Sequence, residues 1–176
     1  PSELDTASFR QVWSYDEIRA IGELFGTWLR LARHRGTVAN LHPCYTRCAA
    51  ALLVAGKEWP EVGKLPEQWL NVLLLSITRR SAALPFIILG LLLTILPSSR
   101  PTFDSAFARL FEIAESTTLD ITDSSRVHAM NTIRTVFLDA KGGLAAAPYV
   151  ERGFLVSISL FWSPKSVRTS SHLLSA

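Results

Sequence analysis

The most apolar stretch of the chain is LPFIILGLLLTILP, residues 84–97, and it limits the folds that are available. From 81 to 99 no residue carries a charge, which approaches the length of a membrane-spanning helix. Pro85 and Pro97 nevertheless confine the strongly apolar part to 86–96, about 16 Å of helix and roughly half of a hydrocarbon core. Helices that are apolar all round also occur where neighbours cover them on every side. The run therefore favours the buried central helix of a helical protein over a membrane anchor.

Apolar residues continue at helical spacing on both sides of this run, and no segment alternates as a strand between hairpin turns. One clear face combines Phe103, Phe107, Leu110, Phe111 and Ala114. The first predicted helix starts at Ser14 and closes at Gly36, and the second covers 43–54 and stops near Gly56. A third starts near Pro66, and Pro85 kinks or restarts the helix of the apolar run. The remaining helices are predicted from a cap at Thr102, a cap at Ser124–Ser125 with a close at Gly142–Gly143, and starts at Pro148 and Ser163–Pro164. The sequence thus predicts an all-α fold of about eight helices with short connections.

Three segments share one outline, with a β-branched residue, an arginine, small residues and then leucine. They are TRCAAALL (46–53), TRRSAALP (78–85) and VRTSSHLL (167–174). Small residues let helices approach closely, and the arginine could reach a carbonyl or an acid in the adjoining layer. The outline resembles the second helix of a HEAT or armadillo repeat, although chance similarity among alanine-rich helices is the alternative. We therefore expect an α-solenoid of stacked helix pairs, with 1–176 as a single segment that has no internal domain boundary.

Composition places the chain among ordered proteins without a strong bulk charge. An apolar fraction of 48% and a mean hydropathy of +0.23 exclude disorder. The net charge of +3 does not indicate a strongly basic nucleic-acid module, so any electrostatic site is local. Cys44 and Cys48 are too few for a disulfide framework, and we interpret them as reduced, buried thiols of a cytoplasmic or nuclear protein. Since both termini resemble cuts through something longer, we expect the chain to be a piece of a larger protein.

Sequence motifs for catalysis are lacking. The chain contains no glycine-rich phosphate loop, no GxSxG elbow and no HExxH helix. The four histidines are scattered, and the spacing of His42, Cys44 and Cys48 matches no common zinc pattern. We expect no catalytic residue, no metal site and no cofactor.

Three stretches together resemble a known family. They are ITRRSAALPF (77–86), VHAMNTIRTVFLDAKGG (127–143) and PYVERGFLVSISLFWSPKSVRTSSHLL (148–174). In order and spacing they are similar to the DUF2428 region of the thyroid adenoma-associated protein family, THADA, and its fungal relatives. The resemblance implies a large HEAT/armadillo-like protein that assists an FtsJ-like methyltransferase in 2′-O-methylating a ribose of the tRNA anticodon loop. It implies a non-catalytic partner that binds and positions tRNA in the cytoplasm.

The resemblance also implies a set of residues that bind RNA or the partner. They fall in three groups: Arg79, Arg80, Ser81, Leu84 and Pro85; His128, Asn131 and Arg134; and Arg168 and Ser170. Ala83 stands where the family has glycine. If that glycine only allows close helix packing, the added methyl group is tolerated; if it lets an RNA or partner backbone approach, the methyl group obstructs that contact. Asp139 matches an acid of the family.

Each group also has a structural interpretation. Arg79 and Arg80 contact tRNA phosphate or the methyltransferase, or else bond to carbonyls within the repeat. His128, Asn131 and Arg134 share one helix face, where they would read an RNA loop or form a buried network between repeats. The tryptophans Trp13, Trp28, Trp59 and Trp69 are expected in the core. Two rival functions remain, a repeat scaffold that binds only proteins and a membrane-associated role for 81–99.

Overall fold

The computed structural model describes residues 12–31, 35–75, 83–118 and 120–160, and within these ranges the chain forms helices and no strand. The elements are α1 (Tyr15–Leu31), α2 (Arg35–Ala55), α3 (Pro60–Gly63), α4 (Leu65–Leu75), α5 (Leu84–Ile95), α6 (Arg100–Glu115), α7 (Asp123–Leu138), α8 (Ala140–Ala146), a 3₁₀ turn (Ala147–Tyr149) and α9 (Val150–Ser159). The predicted all-α class is confirmed. The predicted start at Ser163–Pro164 lies outside the described residues.

The apolar stretch forms α5, which occupies the centre of the described structure. Pro85 lies in its first turn, where proline costs no intrahelical hydrogen bond, so the predicted restart is confirmed. Helices α2, α4, α6, α7 and α8 all pack against α5, and Ile87, Ile88, Leu91 and Leu92 are almost completely buried. Among the described helices, none combines the length and the apolarity that crossing a bilayer requires.

The helices form two layers, and α5 is the middle helix of the second layer. In the first layer, α4 packs between α1 and α6, and α9 packs against α6. In the second layer, α5 packs between α2 and α7. Helices that follow one another in the chain join the two layers, since α1 contacts α2, α4 contacts α5, and α6 contacts α7. When the short helices α3 and α8 are left out, each helix therefore packs against the next helix but one along the chain.

The first predicted helix begins as expected, but its predicted close at Gly36 is wrong. Ser14 and Glu17 form a capping box, in which the Ser14 amide donates to Glu17 Oε2 at 2.8 Å and the Glu17 amide donates to Ser14 Oγ at 3.3 Å. The described helix ends at Leu31, and Gly36 lies inside α2 rather than closing α1. Helix α2 also begins eight residues before Pro43, which lies in its interior. The proline loses one backbone hydrogen bond there, and burial of the following turns against the core offsets that loss.

Two predicted caps lie three residues too late. Ser99 caps α6 by accepting from the Thr102 amide at 3.3 Å, and Thr122 caps α7 by accepting from the Ser125 amide at 3.2 Å. In both cases the backbone amide of the predicted residue donates a hydrogen bond to the side-chain oxygen of the true cap. The close predicted at Gly142–Gly143 is also wrong, because both glycines lie inside α8.

Close contacts hold each layer together. Trp69 of α4 is buried, and its indole Nε1 donates to the Gly22 carbonyl of α1 at 3.1 Å. A Cβ at Gly22 would come within 2.5 Å of Leu65 Cδ1, so a larger residue of α1 at this position would require the Leu65 side chain to shift. In the second layer a Cβ at Gly90 of α5 would lie 2.4 Å from Thr46 Oγ1 of α2.

The expectation that the tryptophans fill the core holds for Trp69, which is 2% exposed. Trp59 is partly buried and packs against the core. Trp13 and Trp28 do not lie in the core as expected, because 41% and 39% of their surfaces are exposed. Trp28 still contacts the Phe25 ring, with 5.3 Å between centroids. Helical spacing alone placed Trp28 with the buried face of α1.

Replacing Leu92 by alanine tests the central position of α5. Leu92 is 0% exposed, so Leu92→Ala should lower the local unfolding free energy by about 2–5 kcal/mol through lost burial and an unfilled cavity. Leu144→Ala makes the same chemical change at a side chain that is 80% exposed, and should shift it by less than about 0.5 kcal/mol. Hydrogen–deuterium exchange of α5 peptides measures both. Equal effects would contradict the buried position of α5.

Candidate RNA- and partner-binding site

Of the motif RRSAALP (79–85), only residues 83–85 are described, and they form the buried start of α5. Leu84 and Pro85 are both buried, so these two side chains position the helix rather than present themselves to a ligand. Ala83 is also buried among core residues, which favours the packing explanation for the small residue at that position. The predicted site residues Arg79, Arg80 and Ser81 lie outside the described residues, as do Arg168 and Ser170.

The predicted group on α7 shares one side of that helix. His128, Asn131 and Arg134 are all half-buried, and their three-residue spacing spreads them over about 120° of the helix surface. Asn131 lies opposite the core positions Ala129 and Ile133, and Arg134 lies about 100–140° away from them around the helix. They are therefore neither core side chains nor fully exposed ones, and both interpretations of the group stay predictions.

The acid of the family motif has a structural role. Asp139 follows α7 and caps α8, since its Oδ1 accepts from the Lys141 amide at 2.9 Å and the Gly142 amide at 2.7 Å. A Cβ at Gly142 would lie 2.7 Å from the Val136 carbonyl. The Asp-Ala-Lys-Gly-Gly sequence thus makes the tight change of direction between α7 and α8.

A polar cluster that the sequence did not predict joins α6 to the 3₁₀ turn. Arg100 donates to both carboxylate oxygens of Asp104, and the Tyr149 hydroxyl donates to Asp104 Oδ1 at 2.9 Å. Arg100 holds the pKa of Asp104 below its ordinary value, while burial and then Asp104 raise the pKa of Tyr149. The i,i+4 spacing of Arg100 and Asp104 is a readable signal. Tyr149, 45 residues from Asp104, is not.

Two open grooves lie on the first layer. One, of about 320 Å³, lies between α1 and α4 and includes Glu23 and Gln68; the other, of about 310 Å³, lies between α4 and α6 and includes Asn71 and Arg109. Neither groove contains any of the predicted site residues. In the part of the chain that the structure describes, no three His, Cys, Asp or Glu side chains are grouped as metal ligands would be.

The repeat arginine of α2 differs from its predicted role. Arg47 is exposed, and it forms no ion pair with any of the described residues. Tyr45, two residues earlier, is buried against α1 and α4 of the first layer. Two residues correspond to a rotation of about 200° around the helix axis, so Arg47 points away from that layer. Cys44 is exposed on the same side and Cys48 is half-buried, which corrects the expectation that both thiols are buried.

The fold and these surfaces define an all-α protein that carries polar side chains on the outer faces of two helix layers. A family model described as "THADA/TRM732, DUF2428" matches residues 1–165. The chain belongs to this family, so the resemblance seen in the three motifs is confirmed.

Curated relatives come from fungi and vertebrates. The chain is 30% identical over 152 residues to the "tRNA (32-2′-O)-methyltransferase regulator trm732" of Schizosaccharomyces pombe, covering 80% of this chain and 10% of that protein. To the "tRNA (32-2′-O)-methyltransferase regulator THADA" it is 32% identical over 174 residues in Homo sapiens, covering 90% of this chain and 9% of that protein. In Gallus gallus the identity is 29% over 192 residues, with 99% and 10% covered. The chain thus spans about a tenth of the length of these relatives, and no solved structure matches it.

Alkylation distinguishes the two cysteines. Burial, assisted by nearby Cys44, raises the pKa of Cys48 to about 11, so only about one thiol in a thousand is ionised at pH 8. Iodoacetamide at pH 8 should therefore modify the exposed Cys44 at least tenfold faster than Cys48, read by mass spectrometry of the peptides. Between pH 8 and 10 the Cys48 rate should rise about tenfold per unit. Equal rates in the native protein, rather than only in denaturant, would contradict this arrangement.

Proposed function

We propose that the chain is one continuous segment of an α-solenoid that acts as a non-catalytic partner of an FtsJ-like tRNA ribose 2′-O-methyltransferase in the cytoplasm. The observation that carries the proposal is the similarity, over 80–99% of the chain, to proteins named as regulators of a tRNA (32-2′-O)-methyltransferase. Because the chain spans about a tenth of those proteins, the segment supplies only part of that activity.

The packing order supports the solenoid. In a solenoid each repeat contacts its neighbours only, and equivalent helices stack side by side. The series α1, α4, α6, α9 and the series α2, α5, α7 follow this rule. The starts of α2, α5 and α7 fall at 35, 84 and 123, and these spacings of 49 and 39 residues lie on either side of the HEAT or armadillo period of about 40–47 residues.

In the proposed mechanism the segment contributes binding rather than chemistry. Arg79, Arg80 and Ser81, which precede the buried start of α5 in the sequence, contact tRNA phosphate or the methyltransferase. His128, Asn131 and Arg134 on α7, and Arg168 and Ser170 further along, contribute from the neighbouring repeats. Holding the anticodon loop at the partner's active site would raise the methylation rate through orientation alone.

A protein-binding scaffold without RNA contact is the second candidate, and one observation favours it. Helix α9 exposes Val150, Phe154, Leu155 and Ile158. Three of them are four residues apart and therefore line one side of the helix. An apolar ridge of this kind suits a protein neighbour better than a phosphate backbone.

The proposal predicts that the motif arginines are needed for methylation. Purified full-length protein and its methyltransferase would be mixed with unmodified tRNA, and ribose methylation at nucleotide 32 measured by mass spectrometry. Arg79→Ala and Arg80→Ala, singly and together, should slow methylation at least about tenfold if they contact RNA or partner. Arg19→Ala, on exposed α1, is the matched control and should change little, since its ion pair with Glu23 is a surface pair.

Unchanged methylation in both arginine variants would refute the site assignment. Failure of the wild-type protein to copurify with the methyltransferase or to raise its activity would refute the proposed function itself. Affinity for tRNA that is insensitive to salt would favour the protein-only scaffold, because phosphate contacts weaken as salt rises.

A further inference from the structure

Charge is divided unequally between the two layers. The described side chains of α1, α4, α6 and α9 include eight carboxylates and four arginines, and every one of these arginines forms an ion pair: Arg19–Glu23, Arg100–Asp104, Arg109–Glu112 and Arg152–Glu115. The described side chains of α2, α5 and α7 include three arginines and one carboxylate, Asp123, which pairs with Arg126. The first layer is therefore acidic and the second is basic.

The outer side of the second layer, turned away from the first, carries an exposed aromatic ring beside the basic residues. Phe86 is 51% exposed, whereas seven of the other eleven residues of α5 are buried. Gly90 lies one turn after Phe86 on the same side, and Gly90 meets Thr46, the neighbour of Arg47. Arg47 and Phe86 therefore flank a point where α2 and α5 approach closely. We call the surface made by Arg47, Phe86, Asn131 and Arg134 the outer face of the second layer.

These features match the chemistry of a single-stranded RNA loop. Guanidinium groups contact phosphates, and unpaired bases stack on exposed aromatic rings. The first layer, whose described carboxylates outnumber its described arginines by four, would repel the same phosphates. The protein partner is the weaker match for this face, because the apolar ridge of α9 lies on the other layer.

We propose that the RNA loop binds the outer face of the second layer, with Arg47 contacting a phosphate and Phe86 stacking on an unpaired base. This inference rests on the proposed function and adds two binding residues and a face to it. The first layer is left for contacts with protein.

Matched variants on the two layers test the assignment. In the full-length protein bound to its methyltransferase, Arg47→Ala and Phe86→Ala should each weaken binding of a fluorescent tRNA transcript about tenfold, while Phe86→Trp retains binding. Arg47→Ala should also lower the slope of log affinity against log salt by about one. The controls Arg109→Ala and Trp28→Ala, with a paired arginine and a ring that is 39% exposed on the first layer, should bind as wild type.

A second measurement needs no substitution. Cys44 is exposed and lies three residues before Arg47, on the same side of α2. Adding tRNA to the preformed complex should slow alkylation of Cys44 several-fold. This protection keeps the inference testable even if Phe86→Ala disturbs folding, which thermal unfolding of each variant would reveal.

The outcomes separate the inference from the proposed function. If the wild type supports methylation, yet neither variant weakens tRNA binding and Cys44 stays fully reactive, the face is wrong and the function stands. Loss of methyltransferase copurification with unchanged tRNA affinity would also overturn the inference, because the face would then bind protein. A wild-type protein that does not support methylation would refute both.

Discussion

A helix without a polar face organises this molecule. Seven residues of α5 are buried, and it packs against helices of both layers. At about 1.5–3 kcal/mol for each large apolar side chain removed from water, their burial is among the strongest favourable terms available to a chain of this size. Water must be kept from α5 on nearly every side, which requires a helix on either side within its own layer and a second layer behind. The two-layer arrangement follows from that requirement.

Covering α5 fixes which side of each helix faces outward, and the charged residues that the sequence places on those sides give the two layers opposite chemical characters. On α2 the buried positions Tyr45 and Ala49 turn Arg47 outward. On α6 the buried aromatic face leaves Arg109 and Glu112 at the surface, where they pair. Burial thus turns the charged side chains of both layers outward, where those of the first layer are mainly acidic and those of the second mainly basic. A net charge of +3 over the whole chain conceals this division.

Sequence reasoning reaches as far as local patterns extend. It identifies the helical class, the restart at Pro85 and the buried face of α6, because each depends on neighbours within a few residues. It misses interactions between distant residues, such as the Trp69 bond to Gly22 and the Tyr149 bond to Asp104. The misplaced caps have another cause. Ser99 and Thr102 are both good cap residues one turn apart, and only the backbone geometry distinguishes them.

The candidate site shows the same division. Family motifs identify Leu84, Pro85 and Asp139, and the structure gives all three a positioning role. They do not single out Phe86, because an apolar residue in an apolar helix looks like core until its exposure is known. Arg47 was visible as a repeat position, but its direction depends on how α2 packs. Patterns within the sequence therefore predict the scaffold better than its exposed surface.

Ultraviolet cross-linking of tRNA to the full-length protein–methyltransferase complex, followed by mass spectrometry of the linked peptides, tests the central claim most directly. The two-layer account predicts cross-links in peptides of α2, α5 and α7, with Phe86 as a principal position. Cross-links confined to α1, α4, α6 and α9 would contradict it.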